Sequence, residues 1–232
     1  MKLLRSALSF VLCITAAAAA NCGSARSSKT TSKLTGPNGH IDYLNCGLET
    51  GGWTPPKIHI NNVATKSLSA ALQSKSSPFK ACGRFVSTFE KYGAKYNIPP
   101  IFLAAFAMQE SSCNANTVGG GGEQGLMQIT REKCKGSPGG NCKDPDFNIR
   151  TGAKYFADVL KANNGDVLLS IGQYNGWTKG LTKKKATAAA NTACCRCQNN
   201  LDYLHQYLNG WCQNVDPYTK ALGKYFNLNK CR

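Results

Sequence analysis

Acidic residues are scarce in this chain: 12 Asp and Glu stand against 28 Lys and Arg, a formal net charge of +16. That excess favours an acidic partner. The lysines are scattered, with Lys183-Lys184-Lys185 the one run, and no nucleic-acid-binding motif is present, so nucleic acid is set aside. Beyond the first twenty residues no apolar run is long enough to span a bilayer, so no membrane insertion is expected. No Asn-X-Ser/Thr acceptor occurs, which excludes N-linked glycosylation. Internal repeats are absent and strand signals few, which disfavours solenoid and all-β architectures. A mainly α domain of ordinary size remains, and it is expected to be a monomer.

The N-terminus, Met1-Lys2-Leu3-Leu4-Arg5 followed by an apolar stretch to Ala20, reads as a secretory signal over residues 1–20, with cleavage after Ala25 as the alternative. A secreted, extracellular protein is expected. Twelve cysteines agree with an oxidising compartment. Cys13 leaves with the signal. Cleavage after Ala20 leaves Cys22 as the expected orphan; cleavage after Ala25 leaves ten cysteines, enough for five disulfides, so parity favours the later site. Cys134 and Cys142 bracket a Gly/Pro loop and are expected to pair. Cys194-Cys195-Arg196-Cys197, with His205 and Cys212, has the composition of a zinc site, but disulfides are the expectation in an exported chain. No metal or cofactor is implied.

Residues 21–36, rich in Ser, Thr, Lys and Gly, read as a flexible leader. Residues 37–77 form an irregular N-terminal extension that straps the core through Cys46, with a small wall-binding module as the other reading. The main domain is expected over 78–232. Ser76-Ser77 cap a helix opened by Pro78, with Phe79, Phe85, Phe89, Tyr92 and Tyr96 on its buried face. Asn97-Ile98-Pro99-Pro100 breaks it and starts the next. Further helices are expected at about 149–162 and 166–173. After Ala186 the tail reads as helical, with Leu201, Leu204 and Leu208 in step, then Tyr218, Leu222 and Tyr225.

The centre of the sequence is Phe106 to Thr130, FAMQESSCNANTVGGGGEQGLMQIT. An apolar run, Ile101 to Met108, leads straight into Glu110. Helical spacing puts Leu103, Phe106 and Ala107 on the face of that carboxylate. Burial and the negative end of the helix dipole both oppose its ionisation. A carboxyl kept protonated near neutral pH meets the requirement of a general acid. The bland alternative is a helix end turning to solvent. Glycines 119 to 122 follow, and Gln128 offers a donor and an acceptor to a polar substrate.

Glu110-Ser111, followed fifteen positions after the Glu by Gly125-Leu126-Met127-Gln128, resembles the soluble lytic transglycosylase and goose-type lysozyme superfamily. Asn148-Ile149 with Gly152 and Tyr155 resembles the family's Asn-Ile…Gly…Tyr helix start, and Gln173-Tyr174-Asn175 its Ala-Tyr-Asn motif. The resemblance covers about Pro78 to Trp177, and the cysteine-rich flanks resemble a secreted fungal branch.

The resemblance implies a lysozyme-like fold with a substrate groove, stabilised here by disulfides. It implies peptidoglycan as substrate, cleaved at the β-1,4 bond between N-acetylmuramic acid and N-acetylglucosamine, with an antibacterial effect. Glu110 is then the acid and base, Ser111 orients it, Met127 and Gln128 line the groove, and Tyr174 and Asn175 bind sugar, with Tyr174 hydrogen-bonding Glu110. Trp177 either stacks on a sugar ring or packs in the core, and Asn148 is read as a helix cap. Transglycosylases of the family use one Glu and release 1,6-anhydro sugars; goose-type lysozymes hydrolyse with help from Asp residues. Those Asp positions fall on Gly119 and Thr130, which favours the transglycosylase. Gly119 also stands where transglycosylases often carry Ser. Glu123 is an extra carboxylate that closes a hydrogen bond in the loop or orients a water. Alternatives are a hydrolytic lysozyme, a chitinase on the same fold, and a non-catalytic cationic wall-binding protein.

Overall fold

The computed structural model describes residues 22–231; the signal read over 1–20 lies outside them. Helices in chain order are α1 (Ile41–Leu44), α2 (Leu68–Gln73), α3 (Val86–Tyr96), α4 (Pro100–Ser111), α5 (Pro145–Ala162), α6 (Val167–Tyr174), α7 (Lys183–Ala186) and α8 (Tyr203–His205). Among the described residues there is no strand, only two isolated bridges, Val118 with Gln124 and Gln124 with Ile129. The mainly α, disulfide-stapled architecture expected from the sequence is what is found.

Helix α4 is the axis of the molecule. Every residue from Ile101 to Met108 is buried, so all its faces are covered. A helix apolar all round has to be enclosed by its neighbours. Helix α3, the 3-10 segment Pro78–Phe85 and the tail pack around it, and Phe156 of α5 meets Phe102 and Phe106, ring centroids 6.3 and 5.0 Å apart. Pro100 starts it, with a fixed φ suited to a first turn and no N–H to satisfy. Ser112 ends it in the left-handed region (φ 53°), and a Cys82–Cys113 disulfide pins the exit. Ser77 Oγ accepts from Phe79 N as the expected cap, although Pro78–Phe85 is a 3-10 segment that leads into α3.

Residues 22–36, within the stretch whose composition suggested a flexible leader, are tied to the tail. Thr31 Oγ1 donates to Asn209 O (2.6 Å), Gly223 N donates to Lys33 O (2.9 Å), and a Cys22–Cys46 disulfide closes the strap. Cys22 is therefore no orphan. Cys212, fully buried, is the unpaired cysteine among those described, and the parity argument for cleavage after Ala25 falls. Cys134–Cys142 pair as expected, and Cys194–Cys197 and Cys195–Cys231 account for the cysteine cluster.

The tail departs from the expected long helices. Past Ala186 it is turns and short pieces: α8, a π-helical turn at Gln206–Gly210 and a 3-10 turn at Trp211–Gln213. Leu201, Leu204, Leu208 and Leu222 are buried nonetheless, held by disulfides and side-chain bonds rather than by a regular ladder. Asp202 illustrates the substitution. Its carboxylate accepts the backbone N–H groups of Lys224, Tyr225 and Phe226 at 2.8, 3.0 and 2.7 Å.

Candidate active site

Glu110 lies in the last turn of α4, partly exposed at the end of the buried helix. Burial raises its pKa most, the nearby Glu123 carboxylate adds to that, and one hydrogen bond opposes it; the result is about 7. That bond comes from Tyr203, whose hydroxyl donates to Glu110 Oε1 at 2.8 Å. Burial and the Glu110 charge push Tyr203 well above its ordinary value, so it stays a donor across the working range. Tyr174, expected as this partner, instead donates to Met127 O at 2.9 Å. Its ring stacks on Phe106, centroids 4.0 Å apart, which sets the hydroxyl beyond the helix end over the Gly125–Gln128 turn.

Ser111 does not orient Glu110. Its Oγ lies 2.8 Å from both Ala107 O and Leu126 O, so it ties the helix end to the turn. Met127 is fully buried and does not line a groove. A Cβ on Gly152 of α5 would come within 2.7 Å of Met127 Sδ, so the glycine is what admits this side chain. Gln128 is partly exposed, but its amide donates to Gly125 O at 2.8 Å and Thr117 O at 3.3 Å. With Thr130, Lys133, Tyr155 and Tyr174 it does line a small cavity of about 90 Å³.

Asn148 is neither a helix cap nor a surface group. Asp144 caps α5 through Phe147 N. Asn148 is fully buried, accepts Met127 N at 2.8 Å and donates to Gln124 O and Cys142 O at 2.8 and 2.9 Å. Gly125 has φ +77°, and a Cβ there would run into the Asn148 amide. This clamp gives the Gly-Leu-Met-Gln turn its shape.

Glu123 closes the glycine loop by accepting Gly121 N at 3.1 Å. Gly119 suits this loop, since a Cβ would stand 2.5 Å from Glu123 Oε2. Asn175 ends α6, and its Oδ1 is buried without a hydrogen-bond partner, an unused acceptor beside Tyr174. Trp177 is fully buried against Trp53, ring centroids 4.9 Å apart, and belongs to the core rather than to a sugar site.

The arrangement therefore holds one carboxyl of raised pKa, fixed by a phenol and set beside a rigid glycine-rich turn. It suits proton transfer to and from a polar substrate. Tyr203 was not found from the sequence. Ninety-three residues separate it from Glu110, and no local pattern signals the pairing.

Residues 87–193 match the Transglycosylase SLT domain family, a segment that includes Glu110, the turn and α6. Tyr203 falls outside that segment. Membrane-bound lytic murein transglycosylase F of Serratia proteamaculans (strain 568) is 30% identical over 132 residues, covering 54% of this chain and 26% of that protein. Two solved structures overlap in part. One is an inactive mutant of the lytic transglycosylase Slt from Pseudomonas aeruginosa (TM-score 0.39, 20% identity, 66% of this chain and 25% of that one). The other is the 70 kDa soluble lytic transglycosylase of Escherichia coli (TM-score 0.37, 22% identity, 60% and 26%). This chain spans about a quarter of the length of these relatives. The match to the SLT transglycosylase domain thus covers somewhat under half of this chain, at a distance from the relatives named.

Proposed function

We propose that the protein is an exported enzyme that cleaves peptidoglycan between N-acetylmuramic acid and N-acetylglucosamine, with Glu110 as the acid and then the base. One observation carries the reading: Glu110 has its pKa raised to about 7 and one oxygen fixed by Tyr203. The match of residues 87–193 to the Transglycosylase SLT domain and the name of the Serratia relative support peptidoglycan as the substrate class. A cationic surface suits an anionic wall.

The single-carboxyl route balances without water. Glu110 gives its proton to the bridging oxygen as the bond from C1 of the muramyl residue breaks. The resulting carboxylate takes the proton from that residue's own C6 hydroxyl, and O6 bonds to C1. The muramyl end is a 1,6-anhydro sugar, and Glu110 is again protonated. Hydrolysis is the second reading, favoured by the proximity that lets the Glu123 charge raise Glu110.

The test is a digestion of purified peptidoglycan and of chitin oligomers, side by side, by the parent and by Glu110→Gln. The reading expects soluble fragments from peptidoglycan with the parent alone. Cleavage confined to chitin would make the protein a chitinase. No cleavage of either, with salt-sensitive adsorption to the wall, would make it a binding protein.

A further inference from the structure

Outside the matched segment, the tail builds a cleft of about 640 Å³. That is within the ~300–1,000 Å³ usual for small-molecule sites. Arg196, Asn200, Gln206, Tyr218, Phe226 and Asn229 line it. Two chains of contact join it to Gln109, the neighbour of Glu110 in sequence. Gln109 Nε2 donates to Gln206 Oε1 at 3.5 Å, and Asn200 Nδ2 donates to the same oxygen at 2.8 Å. Trp211 Nε1 donates to Gln109 Oε1 at 2.6 Å, and the Trp211 ring meets Tyr218 edge-on, centroids 5.7 Å apart at 70°.

Tyr218 is the informative residue. It is 56% exposed, unlike nearly every other large apolar side chain described. Yet it stands in a concave wall of this cleft. The ring is held in place by Trp211, and the opposite wall is fixed by the Asp202 carboxylate and by Cys195–Cys231. Asn200 and Gln206 are satisfied internally and form a rigid floor. Arg196 and Asn229 are exposed at the rim. A rigid exposed ring with polar groups alongside suits a pyranose unit. The sugar's C–H face packs on the aromatic face, and its hydroxyl and acetamido groups take the rim donors and acceptors.

We propose that this cleft is a saccharide subsite supplied by the cysteine-rich tail, with Tyr218 as the stacking platform and Arg196 and Asn229 as the hydrogen-bonding rim. It rests on the reading of the protein as a glycan-cleaving enzyme and extends the glycan path from Glu110 onto residues beyond 193. The subsite binds an N-acetylated hexose unit of the same strand.

The test uses the full chain carrying Glu110→Gln, so that glycan binds without turnover. Calorimetric titration with the N-acetylglucosamine pentamer and with peptide-free glycan strands from peptidoglycan gives the reference affinities. Adding Tyr218→Ala is expected to weaken binding about tenfold, while Tyr218→Phe keeps it, because the ring and not the hydroxyl carries the stacking. Arg196→Ala, at an exposed position, probes the same wall if Tyr218→Ala fails to fold. In the active protein the loss falls on KM rather than on kcat. Undiminished affinity in Tyr218→Ala and Arg196→Ala, with the parent still cleaving glycan, would overturn the subsite and leave the enzyme reading standing. A parent that neither binds nor cleaves either glycan would overturn both.

Discussion

Tyr203 donates a 2.8 Å hydrogen bond to Glu110 Oε1 across ninety-three residues of sequence, joining the tail to the end of the buried helix. The bond favours the ionised carboxylate, whereas burial and the Glu123 charge favour the protonated one. The balance at about 7 is what the proposed chemistry needs, because the same group must give a proton and then take one.

Two substitutions should move that balance in opposite directions. Tyr203→Phe removes a bond to the carboxylate, so the Glu110 pKa rises and the alkaline limb of kcat/KM shifts to higher pH. Activity also falls, by about 10-fold to 100-fold, as the carboxyl loses its fixed orientation. Glu123→Gln removes a like charge, so the limb shifts to lower pH. pH–rate profiles of the two variants check the signs.

Glu110 should also destabilise the fold at neutral and alkaline pH. Its folded pKa of about 7 lies above the ordinary 4.5, so the native state binds more protons between those values. Stability falls as pH rises through that window and then levels off. Glu110→Gln lacks the penalty and keeps an acceptor for Tyr203. It should be more stable than the parent at pH 8 by on the order of 2 kcal/mol, and nearly equal at pH 4. Denaturant unfolding at the two pH values measures this.

Asn148→Ala should damage the turn rather than the chemistry. It strands Met127 N, Gln124 O and Cys142 O in a buried place. A loss of about 2–4 kcal/mol is expected, read as a lowered unfolding midpoint, together with reduced activity.

The disulfide map predicts a specific thiol. Native protein should not react with a thiol reagent at Cys212, which is fully buried and whose pKa burial raises well above the ordinary value. In denaturant without reductant, Cys212 should label and the ten paired cysteines should not. Peptide mapping of the labelled protein decides it.

What the sequence revealed and what it hid follow from range. Glu110 was legible because an apolar run points at it within one helix. Cys134 and Cys142 were legible because they close a short loop. Ser77, Pro78 and Pro100 announced helix starts by local chemistry. Tyr203 and Asn148 were hidden because their partners lie far along the chain or in a turn whose shape depends on them. The spacing of Leu201, Leu204 and Leu208 gave burial correctly and helix length wrongly. A disulfide-tied segment with Gly210, Pro217 and Gly223 meets its hydrogen-bonding needs through side chains such as Asp202 instead. Tyr174 had the right neighbourhood and the wrong partner. Its ring packs as expected of a site tyrosine, but its hydroxyl reaches Met127 O.

The most direct measurement is the mass of the muramyl ends released from purified peptidoglycan, with Glu110→Gln run alongside. The account predicts 1,6-anhydro ends, each lighter by one water than a reducing end, from the parent and no fragments from the variant. Ordinary reducing ends from the parent would contradict the single-carboxyl route and move the second role to Glu123. Equal cleavage by Glu110→Gln would contradict the account at its centre.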